Sequence, residues 1–312
     1  MDILTEALSS MRTGRPTSVR TDGRAPWGLR LPPVAGAGFH VVLYGTCWLV
    51  PLEDAGDQVE PIALSPGDVV FLRDGRGHIL ADHPSTPAEV ERPEQFQPGS
   101  PIGTVRLGGD GALTSLLCGN YHLDQGRPHP LVRQLPEVIH LRTRHGHHPE
   151  LSAAVHLLGA ELENPRIGSD GIVPTLIDSL LLYVLRAWLE AQPPAAAKGW
   201  AAALGDSAVA PALAAIHDNP SAPWTVESLA ERAGLSRAAF ARRFTALVGE
   251  PPMAYLTRWR MTTAARLLRE SDTPLTAVAA QAGYGSEFAF AKAFKREYSM
   301  APGGYRRQTR TA

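Results

Sequence analysis

Cysteine is nearly absent from this 312-residue chain, and so is any uninterrupted apolar run long enough to cross a membrane. Two cysteines, Cys47 and Cys118, are too few for the disulfide framework of a small secreted domain. The most apolar stretch, residues 172–189, is interrupted by Asp178 and Arg186, and the N-terminus has no apolar signal core. We therefore expect a cytoplasmic protein that is not bound to a membrane.

Net charge is also nearly absent, at −1, but this balance hides an asymmetry along the chain. From Gly234 to the end there are 13 Lys or Arg residues against 5 Asp or Glu residues, a net charge of +8. The residues before Leu204 carry a net charge of −6. We therefore expect only the C-terminal part to bind a polyanionic partner. The length of the chain suggests two domains.

Strand-like sequence patterns come before helical ones along the chain, which predicts an α+β protein. Between about residues 24 and 135, short apolar runs such as 39–44 and 68–72 are bounded by Gly, Pro and Asp. Their spacing favours a β-barrel or sandwich. Residues 149–163 and 172–190 then show helical periodicity, and short helices are predicted beyond them.

The second of these helical stretches carries an apolar stripe at three- and four-residue steps. Such a stripe packs either against a second copy of the chain or against the barrel, and the sequence favours neither. Its members are Leu176, Leu180, Tyr183 and Trp188.

The C-terminal part repeats itself with a period of about 50 residues, which indicates a duplicated supersecondary unit. Each copy predicts a short helix, a turn at Gly234 or Gly283, and a second helix capped by Ser236 or Ser286. This is the helix-turn-helix layout. The residues that recur are Ser236, Phe240, Phe244, Pro252 and Tyr255, matched by Ser286, Phe290, Phe294, Pro302 and Tyr305.

The helix-turn-helix layout predicts DNA binding, because the second helix of such a unit enters the major groove. A long arginine-containing helix at 252–269 would hold the two reading helices about one DNA turn of ~34 Å apart. The alternative is an ordinary helical bundle, with a phenylalanine core and solvated arginines. The coincidence of repeat, turn glycines and positive charge favours DNA binding.

Segments 225–237, 240–244, 282–298 and 301–306 resemble the DNA-binding domain of AraC/XylS-type transcription regulators. The resemblance implies sequence-specific binding to double-stranded DNA through the exposed face of each second helix. Because Ala238 and Ala241 are small, Arg242 is the principal base-contacting candidate of the first unit. The positions that match are Ser236, Arg237, Ala238, Ala241, Arg242 and Arg243, then Ser286, Glu287, Phe288, Ala291 and Lys292.

The N-terminal part carries a second resemblance, to cupin barrels. Gly67, Gly75 and His78 match the second cupin motif, but the His-x-His and Glu metal ligands of the first motif are missing. This absence weakens a metalloenzyme hypothesis. Segments 45–49, 118–124 and 129–136 resemble the cupin subgroup that precedes some AraC-type DNA-binding domains, which implies an effector-sensing domain.

Three interpretations compete for the histidines and cysteines of this part. The first is structural, with buried hydrogen-bonded histidines and cysteines that act as small apolar residues. The second is a divalent-metal site, for example for zinc, formed by His40, His78, Cys118 and His129. The third is a thiol redox switch between Cys47 and Cys118.

Together these features predict a transcription regulator and no enzyme. Its cupin-like domain would sense a small molecule, metal or oxidant. Double-stranded DNA, the effector, RNA polymerase and a second copy of the chain are the expected partners. The competing hypothesis is an oxygenase-like cupin metalloenzyme with a DNA-binding tail. The predicted divisions are a sensor domain at 1–140, a helical dimerisation or coupling segment at 141–192, a linker at 193–205 and a DNA-binding domain at 206–312.

Overall fold

The computed structural model describes residues 3–14, 16–34, 36–52, 60–90, 103–123, 129–142, 148–192 and 199–311. The chain forms two compact units. Residues 193–198 of the predicted linker lie outside the described ranges. The helical unit comprises Met1–Thr13, Pro128–Gln134 and Gln192–Ala312, and the barrel unit comprises Gly14–Arg127 and Leu135–Ala191.

The described elements confirm the predicted α+β class, with strands followed by helices. The helices are α1 (Ile3–Met11), α2 (Pro130–Gln134), α3 (Pro149–Glu163), α4 (Ser169–Glu190), α5 (Gly199–Gly205), α6 (Val209–Asp218), α7 (Val226–Arg232), α8 (Arg237–Val248), α9 (Pro252–Glu270), α10 (Leu275–Gln281), α11 (Glu287–Tyr298) and α12 (Pro302–Thr311). The strands are β1 (Thr17–Arg24), β2 (Gly28–Leu31), β3 (Ala37–Tyr44), β4 (Cys47–Pro51), β5 (Ile62–Leu64), β6 (Val69–Leu72), β7 (His78–Ala81), β8 (Glu89–Val90), β9 (Gly103–Gly108), β10 (Leu113–Tyr121) and β11 (Val138–Leu141).

Two sheets enclose the apolar core of the barrel unit. One sheet has the order β11-β6-β3-β10-β1-β9 and the other β5-β4-β7-β2-β8. Strand side chains alternate between faces, so each strand sends every second residue inward. Val42, Leu80 and Leu116 are among the buried members of the shared core, and each such side chain contributes about 1.5–3 kcal/mol.

Helices α3 and α4 belong to the barrel unit and pack against each other. The Tyr121 hydroxyl donates a hydrogen bond of 2.7 Å to the carbonyl of Ile177, which ties β10 to α4. Leu180 is buried inside this unit, whereas Leu176 and Trp188 are only partly buried. The predicted apolar stripe is thus split between internal packing and the surface. By length and composition alone α4 could cross a membrane, a test that core helices of globular proteins also pass.

Both predicted helix-turn-helix units are present in the helical unit. The side chains of Ser236 and Ser286 accept hydrogen bonds from the backbone N–H groups three residues ahead, so they cap α8 and α11. Gly234 and Gly283 adopt φ values of 63° and 75°, in the left-handed region that glycine reaches without a steric penalty.

Helix α9 contributes to two hydrophobic cores. Its first half supplies Tyr255 and Trp259 to the core that contains the first phenylalanine pair, Phe240 and Phe244. Its second half packs in the core of the second pair, Phe290 and Phe294. The predicted connecting helix is therefore a rod shared by both units, and the phenylalanines are its packing partners.

Two segments from the N-terminal part of the chain also pack in the helical unit. Both α1 and α2 lie within the range 1–140 predicted for the sensor domain. Leu131 of α2 is fully buried in the same core as Trp200 and Tyr255. An apolar side chain in this short helix therefore completes a core whose other members are far away in sequence.

We expect Leu131→Ala to destabilise the helical unit by about 2–5 kcal/mol, because truncation of a buried leucine leaves a cavity. Hydrogen exchange of the full-length protein, followed by mass spectrometry, should show lost protection in α8 and α9. Amides in β3 and β10 serve as the internal control. Loss of protection confined to those strands would contradict the assignment of α2 to the helical unit.

Candidate functional site

The N-terminal half of α8 presents a surface that faces away from its phenylalanine pair. Arg237, Ala238 and Arg242 are exposed, and Ala241 is half-buried. This is the placement that the sequence predicted. Helix α8 starts at the Ser236 cap, so its first turn also offers backbone N–H groups, which favour anions such as phosphates.

The arginines of α8 differ in what they contact. Arg243 donates to Asp206 from both Nε (2.9 Å) and a terminal nitrogen (2.6 Å). Arg237 pairs with Glu227 at 2.7 Å across the turn between α7 and α8. Within the described ranges Arg242 makes no salt bridge, so its guanidinium is available to a ligand.

Helix α11 presents the second predicted surface. Glu287, Phe288 and Lys292 are exposed, and Ala291 is half-buried. Phe288 is 82% exposed, which is unusual for so large an apolar side chain. An exposed phenylalanine beside a lysine can contact an apolar base edge and a charged group at once.

Three of the four arginines of α9 make structural contacts that the sequence did not reveal. Arg258 donates to Glu250 at 2.9 Å from Nε, and Arg269 donates to the Tyr305 hydroxyl at 2.7 Å. Arg260 donates to two backbone carbonyls. No local spacing predicts the contacts of Arg260 and Arg269, because their partners lie more than 30 residues away along the chain.

The barrel unit contains a cavity of about 430 Å³ that opens at one end of the two sheets. His40 of β3 and His78 of β7 meet inside it, although they come from different sheets. Cys118 of β10 also lines it, directly across from His40 in the strand register. Three of the four residues that the sequence proposed for an effector or metal site thus line one cavity.

The two histidines form a directed hydrogen-bond chain. The Nδ1 atom of His78 lies 2.8 Å from the carbonyl of Arg76, so that nitrogen carries the proton and donates. The Nε2 atom of His78 must then accept the 2.7 Å hydrogen bond from Nε2 of His40. Burial lowers the pKa of both imidazoles, that of His40 well below its usual value, which keeps the pair neutral.

This arrangement does not fit a zinc ion. Zinc takes three or four protein ligands, but within the described ranges no three His, Cys, Asp or Glu side chains converge. A zinc-bound histidine also normally donates its second ring nitrogen to a partner. If His40 bound through Nε2, its Nδ1 would be protonated, and that buried atom has no partner in the described part of the chain.

The two cysteines are buried in the barrel core. Burial, reinforced by the nearby Asp68 carboxylate, raises the pKa of Cys47 to about 12. A thiol must lose its proton to act as a nucleophile, so Cys47 is poorly suited to react with an oxidant. The Sγ atom of Cys118 accepts a weak 3.8 Å contact from the Thr21 hydroxyl. A disulfide between the two cysteines stays a prediction.

His129 belongs to the helical unit, whereas His40, His78 and Cys118 belong to the barrel unit. Its Nδ1 accepts the backbone N–H of Leu131, so Nε2 carries the proton and donates to the Tyr255 hydroxyl at 3.3 Å. That hydroxyl donates in turn to Nε2 of His217 at 2.5 Å. Burial lowers the pKa of both histidines, that of His217 to about 3. His129 is thus a buried structural residue that links α2 to α9 and α6.

Comparison with known proteins gives matches to both halves of the chain. Residues 2–190 match a cupin family, and residues 229–308 match a helix-turn-helix domain family. A putative AraC-like transcription regulator of Streptomyces lividans is 35% identical over 307 residues, which cover 98% of each chain. The transcriptional regulator MtrA of Neisseria gonorrhoeae is 30% identical over 309 residues, 99% of each chain. The DNA-binding domain of AdpA, solved with a target DNA, is 34% identical over 34% of this chain and 95% of that chain, with a TM-score of 0.33.

We expect the helical unit to lose stability as the pH falls below about 6.5. His217 titrates at about 3 when folded and at 6.5 when exposed, so only the unfolded chain gains this proton between those values. The loss is about 1.4 kcal/mol per pH unit. Urea unfolding followed by tryptophan fluorescence at pH 7 and pH 5 measures it. His217→Gln should make the dependence shallower and leave the part that comes from His129, whose pKa burial also lowers. An equally steep dependence in that variant would contradict the assignment.

Proposed function

Because the chain belongs to the AraC-like transcription regulators, with a cupin domain ahead of a helix-turn-helix domain, we propose that it reads DNA through the exposed faces of α8 and α11. The observation that carries the proposal is the pair of serine-capped helices whose exposed positions match the predicted base-reading set. Both belong to one compact unit, which has the shared helix α9 between them.

The side chains of this surface suit different parts of a DNA duplex. Arg242 makes no salt bridge within the described ranges and can form a bidentate contact with O6 and N7 of a guanine. Phe288 suits the methyl group of a thymine, and Lys292 beside it suits a guanine or a phosphate. Arg237 lies at the start of α8, where phosphate contacts fix the orientation of a reading helix. Arg243 is paired with Asp206, so we assign it no contact with a base.

The barrel cavity is the proposed effector site. At about 430 Å³ it has the size of a small-molecule pocket, and Leu31, Val34 and Leu72 give it apolar walls. The described lining contains Arg76 and the His40–His78 pair but no Asp or Glu. These features favour a largely apolar molecule whose polar end is neutral or anionic. Such an effector regulates transcription only if it binds two states of the protein with different affinity.

Two copies of the chain and RNA polymerase complete the proposed assembly, which acts in the cytoplasm. Leu157 of α3 and Ile172 of α4 are exposed apolar side chains that a second copy would cover. The proposal assigns no catalysis to the barrel.

We expect Arg242→Ala to weaken binding to the protein's DNA site by about 1–3 kcal/mol, since a bidentate base contact is lost. Arg243→Ala is the matched control, because the neighbouring arginine is engaged by Asp206. It should leave the affinity for DNA nearly unchanged and lower the free energy of unfolding only slightly, because the Arg243 side chain is exposed to solvent. Electrophoretic mobility shifts with a DNA fragment bound in vivo measure both affinities. Equal losses in the two variants would argue against the assigned roles.

We expect a larger side chain that fills the cavity to abolish effector binding by the barrel. Val34 lines the mouth and is 40% exposed, so Val34→Trp would occupy space without opening the core. Thermal-shift screening against small apolar acids and alcohols should yield compounds that stabilise the original protein and change its affinity for DNA. Tyr44→Trp, at an exposed position outside the cavity, is the control. A compound that regulates Val34→Trp undiminished would contradict this site.

A further inference from the structure

Arg260 occupies the point on α9 where one hydrophobic core gives way to the other. Its neighbours in sequence are Trp259, which packs in the first core, and Met261, which packs in the second. Its Nε donates to the carbonyl of Pro220 at 2.6 Å, and a terminal nitrogen donates to the carbonyl of Ala222 at 2.8 Å. One half-buried guanidinium thus holds the loop that leads from α6 into the first helix-turn-helix.

The same guanidinium contacts the turn of the second helix-turn-helix. A Cβ atom built at Gly283 would lie 2.9 Å from Cζ of Arg260 and 3.0 Å from Cα of Ser221. Such a Cβ atom would require the guanidinium to move and the backbone at Ser221 to shift by a few tenths of an ångström. The turn of the second unit is therefore seated directly on the loop of the first, with Arg260 between them.

The repeat provides an internal comparison. Gly234 occupies the equivalent turn of the first unit, with a similar left-handed φ of 63°. A Cβ atom built there meets nothing within 4 Å. The two glycines share a conformational requirement, and only Gly283 has a packing requirement as well. That extra requirement belongs to the contact between the two helix-turn-helix units.

We propose that Arg260 is a positioning residue that determines specificity, because its contact with Gly283 and the 220–222 loop fixes the separation of α8 and α11. This inference rests on the proposed reading of DNA by both helices. One base pair more or less between their subsites shifts the second subsite by about 3.4 Å and rotates it by about 35°. A pair of reading helices with a fixed separation cannot follow that change, so Arg260 sets the number of base pairs between the subsites.

The test measures how strongly the full-length protein discriminates between spacings. In vitro selection with the original protein provides its preferred duplex, and footprinting on that duplex locates the two subsites. Two further duplexes carry one base pair inserted or deleted between them. We expect the original protein to bind the altered duplexes on the order of tenfold more weakly or worse. For Arg260→Ala we expect the affinities for the preferred and the altered duplexes to differ by about threefold or less.

Arg266→Ala is the matched control, because Arg266 is a half-buried arginine of the same helix with no hydrogen bond within the described ranges. It should keep the full spacing preference. Gly283→Ala and Gly234→Ala form a second matched pair that shares the backbone strain. Only Gly283→Ala should weaken the preference for the original spacing. If circular dichroism shows Arg260→Ala to be unfolded, the comparison of the two glycine variants replaces it as the test.

The outcomes separate this inference from the proposed function. If the original protein protects a single subsite and tolerates both altered spacings, the reading of DNA by two helices is wrong. If it discriminates and Arg260→Ala discriminates equally well, the positioning role is wrong. A fall of about 0.9 in the salt slope of binding for Arg260→Ala, with spacing preference intact, would assign Arg260 to a phosphate instead.

Discussion

One helix that belongs to two hydrophobic cores is the constraint on which the DNA-binding half depends. Tyr255 and Trp259 of α9 are buried with the first phenylalanine pair, and Met261 and Leu268 are buried with the second. Neither core can form without α9, so the two helix-turn-helix units are supported by one rod. The serine-capped helices α8 and α11 are therefore held by one shared support, as the proposed base recognition requires.

Buried histidines play different parts in the two units. In the barrel, His40 and His78 satisfy each other beside a cavity, so a polar pair can sit within apolar walls without a charge. In the helical unit, the chain from His129 through Tyr255 to His217 is closed inside a packed aromatic cluster. The His40–His78 pair lies beside a cavity that can hold a ligand. The His129–Tyr255–His217 chain fixes α2 in the core of the helical unit.

Much of the fold could be predicted because its cues are local. Glycines at the two turns, serine caps and phenylalanines four residues apart specify each helix-turn-helix within about twenty residues. The recurrence at 50 residues then indicates the second unit. The contacts of Arg243 and Arg260 could not be predicted, since Asp206 and the carbonyls of residues 220 and 222 lie 37 to 40 residues away along the chain.

The sequence by itself determined the strand-then-helix order, the duplicated DNA-binding motif and the exposed positions of its reading helices. Periodicity and capping are properties of neighbouring residues, which the sequence displays directly. Only the tertiary structure decided that His40 meets His78 and not His129, and that Leu131 completes the core of the helical unit. Such partnerships depend on which distant segments pack together, and no short stretch of sequence encodes that choice.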